Sequence, residues 1–271
     1  MDNLFQTMEA TAERGAEGLT PQAREALAAA VRALQQSDGG FAGLDGRSDL
    51  YYSFFAWLSL RALKASFNCE QLCSYAVARG REAQGVDARC AEILLVREGR
   101  RSRAAGWMAV AGALLRGGAL DMYGAFLLAL AIGEVPRVAA RLAWRRTRRL
   151  FESDAAKRLP TPRLAAGLIQ ATLAGECGTG LLPVLSARQC RGGGFASAEG
   201  AAADLLATAV ARFAWRCSAE PAHRIPGEAQ KDMAFIEACW LEDGLFGASP
   251  AALHGDAEHT FYALLALGTC R

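Results

Sequence analysis

The chain has 271 residues, 52% of them hydrophobic, and a formal net charge of +2. That length suits one closed architecture, and so even a charge balance implies no partner by itself. The eight cysteines are scattered with no Cys-x-x-Cys pair, so they read as reduced, mostly buried thiols and point to a cytoplasmic location.

Strand signals are nearly absent, and helical periodicity punctuated by Gly and Pro runs throughout. Residues 1–20 read as a loose leader with no secretory signal. Thr20 and Pro21 supply an N-cap and a first-turn proline for a helix reaching about Gln36. After a glycine turn, Asp49 starts a helix to about Ala65. Further helices are expected at 69–80, 87–98, 103–116, 121–133, 136–151, 162–175, 179–190, 204–217, 228–241 and 256–269. The apolar stretches flanking Arg116-Gly117-Gly118 fall short of the roughly 18 residues needed to span a bilayer, so the chain is not expected to be membrane-spanning. No composition break divides residues 21–271, which read as a single domain.

Three segments repeat one pattern: Gln35-x-x-x-Gly39-x-Phe41, Gln189-x-x-x-Gly193-x-Phe195 and Trp240-x-x-x-Gly244-x-Phe246. Each is followed by an aspartate that opens an apolar helix: Asp49, Asp204 and Asp256. From Phe41 to Phe195 is 154 positions, about three times the 51 from Phe195 to Phe246. The central repeats therefore keep their length without the motif.

This pattern resembles the QW-type repeat of triterpene cyclases and protein prenyltransferase β subunits. The match covers residues of about 22–64 and 180–270. The resemblance implies an all-α fold, an α/α toroid with about six inner and six outer helices, (α/α)6 barrel-like. The inner helices would begin near Asp49, Asp87, Asp121, Pro162, Asp204 and Asp256. It also implies an isoprenoid diphosphate ligand, a central cavity lined by aromatic residues, and a protein partner. The alternative is a toroid without catalysis, acting as an interaction or ligand-binding module.

The resemblance puts the active site at the inner-helix N-termini, so Asp49, Asp204, Asp256 and His259 are the candidate catalytic residues. Each Asp also reads simply as an N-cap. Asp256-x-x-His259-Thr260-x-Tyr262 is similar to the segment that supplies the zinc-binding histidine in prenyltransferase β subunits, and Asp204 matches a second ligand. Leu206 stands where the family has its cysteine ligand. Two ligands are too few for a catalytic zinc site, so zinc is expected in substoichiometric amount or not at all. Glu258, His254 and Cys239 are possible substitutes, although Asp256 and Glu258 should point in different directions on a helix. The stretch from Ala196 to Ala203 lacks the family's basic diphosphate clamp, and no Asp-x-Asp-Asp motif supports cyclisation by protonation.

Tyr51, Tyr52, Phe54, Trp57, Trp215 and Tyr262 are the candidate substrate-binding aromatics, with core packing as the alternative. Arg137, Arg141, Arg145 and Arg148 form one helical stripe. It reads as a solvated outer face or as a docking surface for an acidic partner, a membrane headgroup layer or a nucleic acid; the resemblance makes a protein partner the most natural of these, and nucleic acid is not expected.

Overall fold

The structure, a computed structural model, describes residues 4–102, 137–151, 154–176, 178, 180–218 and 229–271. The described helices are α1 (Leu4–Glu17), α2 (Pro21–Ala33), α3 (Leu50–Ala62), α4 (Cys69–Gly80), α5 (Gly85–Arg97), α6 (Arg137–Phe151), α7 (Thr161–Ala174), α8 (Leu181–Ser186), α9 (Leu205–Cys217), α10 (Ala229–Ala238) and α11 (Ala257–Cys270). The fold is all-α apart from two short hairpins. The expected helices at 103–116 and 121–133, with Asp121, lie outside the described residues.

The helix starts follow local chemistry. Thr20 caps α2 by accepting from the Ala23 amide at 3.2 Å, and Pro21 occupies its first turn. Asn68 caps α4 by accepting from Gln71 at 3.1 Å. α9 and α11 are buried on nearly every side, as helices that are apolar all round must be. The neighbours run in one series: α5 packs on α3, α3 on α11, α11 on α9, and α9 on α7. Besides these, α2 packs on α3, α4 on α5, α6 on α7 and α10 on α11.

The expected loose leader is corrected. Residues 4–17 form α1, which buries Leu4, Phe5 and Met8 and packs on α11 and α3. The reason is small residues at the crossing. A Cβ added at Gly15 would lie 1.9 Å from the Leu264 carbonyl oxygen, and one at Gly268 would lie 1.7 Å from that of Thr11. The two backbones therefore touch, and the first helix of the chain seats on the last. Glu9 adds ion pairs to Arg61 at 3.0 Å and Arg97 at 2.6 Å.

The three motifs fold alike. Phe41, Phe195 and Phe246 are at most 1% exposed. Each bridges back to the residue that opens its motif, Gln35, Gln189 or Trp240, and forward to its aspartate. The hairpins β1 (Phe41–Ala42) with β2 (Ser48–Asp49) and β3 (Phe195–Ala196) with β4 (Ala203–Asp204) are these pairings. Gly39, Gly193 and Gly244 hold φ of 94°, 97° and 80°, a conformation that a side chain rarely adopts. The plug's buried amide donates to a hydroxyl one turn into the next helix: Phe41 to Ser53 at 2.7 Å, Phe195 to Thr208 at 2.8 Å, and Phe246 to Thr260 at 3.1 Å.

One repeat departs from this plan. Asp38 and Asp243 accept from Gly40 at 3.1 Å and Leu245 at 3.0 Å within their own turns. Gly192 stands at the equivalent place in the second motif. There the amide of Gly194 donates instead to Asp232 of α10 at 2.7 Å. Asp232 is fully buried and pairs with Arg212, 2% exposed, whose Nε donates to Thr269 at 3.0 Å.

Candidate functional site

The starts of α3, α7, α9 and α11 lie together, because hydrogen bonds lace them. Thr161 at the start of α7 donates through its amide to Ser197 at 2.8 Å and through its hydroxyl to Ala196 at 2.6 Å, both in the loop that leads to α9. The Leu205 amide at the start of α9 donates to Ala248 at 2.9 Å, in the loop that leads to α11. Tyr51 in the first turn of α3 donates to Glu258 in the first turn of α11, at 2.5 Å. The start of α5 is close as well, since the charge of Asp49 reaches Asp87 there. The Asp87 carboxyl is raised above its usual range, first by burial and then by Asp49.

Each aspartate of the repeat is an N-cap. Asp49 accepts from the Tyr52 amide at 3.0 Å, Asp204 from Ala207 at 2.8 Å, and Asp256 from His259 at 2.8 Å. An oxygen used in this way satisfies an orphan amide and meets the positive end of the helix dipole. Asp256 does more, since its second oxygen lies 2.7 Å from His259 Nδ1.

Around this pair the structure assembles a donor set that differs from the expected one. Ligand atoms of Asp256, Glu258 and His259 all lie within 4.8 Å of one another. The expectation that Asp256 and Glu258 diverge is therefore corrected. It applied a helical wheel to Asp256, but Asp256 is an extended cap at φ −149° and ψ 172°, and its side chain folds back over the first turn. Asp204, expected as the partner of His259, is not in this set, although its charge reaches Glu258 and His259. Leu206 is 5% exposed. Neither further substitute joins: Cys239 is a fully buried thiol pushed up to about 12 by burial, with Asp204 adding to the rise, and His254 is exposed.

The electrostatics of the set follow from its burial. Glu258 is 5% exposed. Its carboxyl is raised from 4.5 to about 7: burial is the largest cause, Asp256 and Asp204 add to the rise, and the imidazole of His259 and the Tyr51 hydroxyl oppose it. Burial by itself lowers the His259 imidazolium. The hydrogen bond to Asp256 and the charges of Asp256, Glu258 and Asp204 outweigh that, and the net shift is upward. The imidazole is thus held by Asp256 on one nitrogen, and Glu258 is a carboxyl poised to gain or lose a proton near neutrality.

The candidate aromatics divide into two groups. Tyr51 and Tyr52 are half-buried at the start of α3. The Tyr52 ring covers Gly43 of the first hairpin, where an added Cβ would lie 3.0 Å away. Phe54 and Trp57 are fully buried, their ring centroids 5.7 Å apart, and the Trp57 indole donates to Glu98 at 2.7 Å. Tyr262, 1% exposed, packs on Phe55 with centroids 5.2 Å apart, and Trp215 is 5% exposed. In the arginine stripe, Arg141, Arg145 and Arg148 are exposed on α6, while the Arg137 side chain lies outside the described residues.

No described helix is long and apolar enough to cross a membrane. Neither protein-family models nor curated proteins give a match to this chain.

Proposed function

We propose that the chain is an α/α toroid of the terpenoid cyclase and prenyltransferase β-subunit kind, and that its rim binds an isoprenoid diphosphate with a divalent metal ion, zinc by preference. The observation that carries this reading is the donor set of Asp256, Glu258 and His259, within 4.8 Å of one another, inside the very segment that resembles the family's zinc-histidine segment. The packing series α5, α3, α11, α9, α7 is the order expected of an inner ring.

The residues fit the group in number and kind. One imidazole nitrogen and two carboxylates are three protein donors of the types that catalytic zinc sites use. Glu258 replaces the thiolate that Leu206 cannot provide. A metal held by all three groups would take the place of the proton shared by Asp256 and His259 Nδ1, since ligands bind metal in their deprotonated form. Tyr51 holds Glu258 in place. A bound zinc ion supplies positive charge for diphosphate oxygens. Without it, Asp204, Asp256 and Glu258 repel an anion, and the helix N-termini offer only weak compensation. Read as an enzyme, the protein is a prenyltransferase-like transferase.

Calorimetry with farnesyl diphosphate tests the proposal. Binding is expected in the presence of zinc and should be lost in chelator. Absence of binding under both conditions, or equal binding in both, contradicts it.

A second reading has specific support. Phe54, Trp57 and Tyr262 are each at most 1% exposed and pack against other rings, which is core behaviour. A toroid that keeps the motif for stability and serves as an interaction or ligand-binding module would look the same there. It predicts a fold that is indifferent to zinc and to the diphosphate.

A further inference from the structure

α6 concentrates charge in a way that the whole chain does not. It holds six arginines and no acidic residue over fifteen positions, although the chain nets only +2. Its inner face is used up: Ala140 and Trp144 are buried, Phe151 stacks on Trp144 with centroids 5.8 Å apart, and the helix packs on α7. Its outer face exposes Arg141, Arg145, Arg148 and Arg149. Arg141 donates to the Ala174 carbonyl at 3.1 Å. Among the described residues, Arg145, Arg148 and Arg149 take part in no ion pair. Leu142 stands between Arg141 and Arg145 and Leu150 follows Arg149; they are 57% and 60% exposed.

We propose that this face of α6 docks the protein on an anionic membrane surface. The guanidinium groups meet lipid phosphates, and the two leucines reach the acyl boundary. Charge alone would suit an acidic protein equally well. Bare leucines set among arginines fit a bilayer interface better, because it offers anionic headgroups and hydrocarbon within one side-chain length. The helix is held to α7 by its own apolar stripe, so it lies on the surface and does not insert. Attraction of this kind is reversible and weakens as salt rises. It requires neither the metal nor the diphosphate.

The test is co-sedimentation of the full chain with vesicles of phosphatidylcholine alone and of phosphatidylcholine mixed with phosphatidylglycerol. Binding is expected only with the mixed vesicles, falling as salt is raised. The triple variant R145E/R148E/R149E should bind roughly 100-fold more weakly, and L142S/L150S should be weakened while keeping the preference for anionic lipid. These positions are exposed, and an unchanged melting temperature shows that the variants remain folded. No binding to mixed vesicles at low salt overturns the proposal, as does equal binding to both vesicle types or full binding by the triple variant. Capture by polyglutamate without any vesicle binding overturns it in favour of an acidic protein partner.

Discussion

Among the described carboxyl groups, Glu258 departs furthest from its ordinary behaviour. Its carboxyl stands at about 7 in the folded chain against 4.5 ordinarily. Between those values the folded protein holds a proton that the unfolded chain has released. Stability should therefore fall as pH rises through that window, by about 3 kcal/mol for this group alone. His259 acts in the same direction, because its raised imidazolium contributes stability below the ordinary value that is lost as pH rises. Urea titrations in chelator at pH 5 and pH 8 should show the decline, and Glu258→Gln should remove most of it. An equally steep decline in that variant would place the proton elsewhere. The plug hydroxyls give a second expectation. Ser53→Ala, Thr208→Ala and Thr260→Ala each leave a buried Phe amide without its acceptor, and each should cost about 1–3 kcal/mol. These hydroxyls stand four residues after Asp49, Asp204 and Asp256. The signal was therefore present in the sequence, but it becomes meaningful only once the plug is seen to lie under the next helix. The place of Glu258 was less legible, because the geometry of a cap residue does not follow the helical wheel.

Among the elements, the motif-bearing turns carry the clearest expectations. Phe41→Ala, Phe195→Ala and Phe246→Ala empty fully buried positions and should each cost on the order of 3–5 kcal/mol in denaturant titration. Losses below about 1 kcal/mol for all three would mean that the plugs are not structural. The second turn should be the most sensitive to a distant change. Asp232→Ala strands Arg212 in the interior, at a cost of about 3–5 kcal/mol, whereas Asp38→Ala and Asp243→Ala disturb exposed turns and should cost far less. Equal losses at the three positions would contradict the substitution of Asp232 for a local turn residue. Helix boundaries were legible wherever capping residues mark them, as at Thr20, Asn68 and Asp49. α1 was not, because its buried face is made by Leu4, Phe5, Met8 and small residues whose value depends on the groove of α11. The contact between Gly15 and Gly268 joins opposite ends of the chain, which local periodicity does not report.

At the scale of the molecule, hydrogen bonds bring the starts of α3, α7, α9 and α11 together, and chemistry gathers where α3 meets α11. The sequence located three of these starts through three aspartates, and its resemblance located His259. It did not separate capping from ligation, since every aspartate of the repeat is an N-cap and only Asp256 also grips the imidazole. The proposed metal site of Asp256, Glu258 and His259 lies at the start of α11. Anomalous diffraction at the zinc absorption edge, from crystals grown with zinc, tests it most directly. One strong peak per chain is expected within coordination distance of the His259 imidazole, Glu258 and Asp256, absent from His259→Ala crystals. Zinc-grown crystals with no peak at these three residues, or with a peak that persists in His259→Ala, would rule the site out.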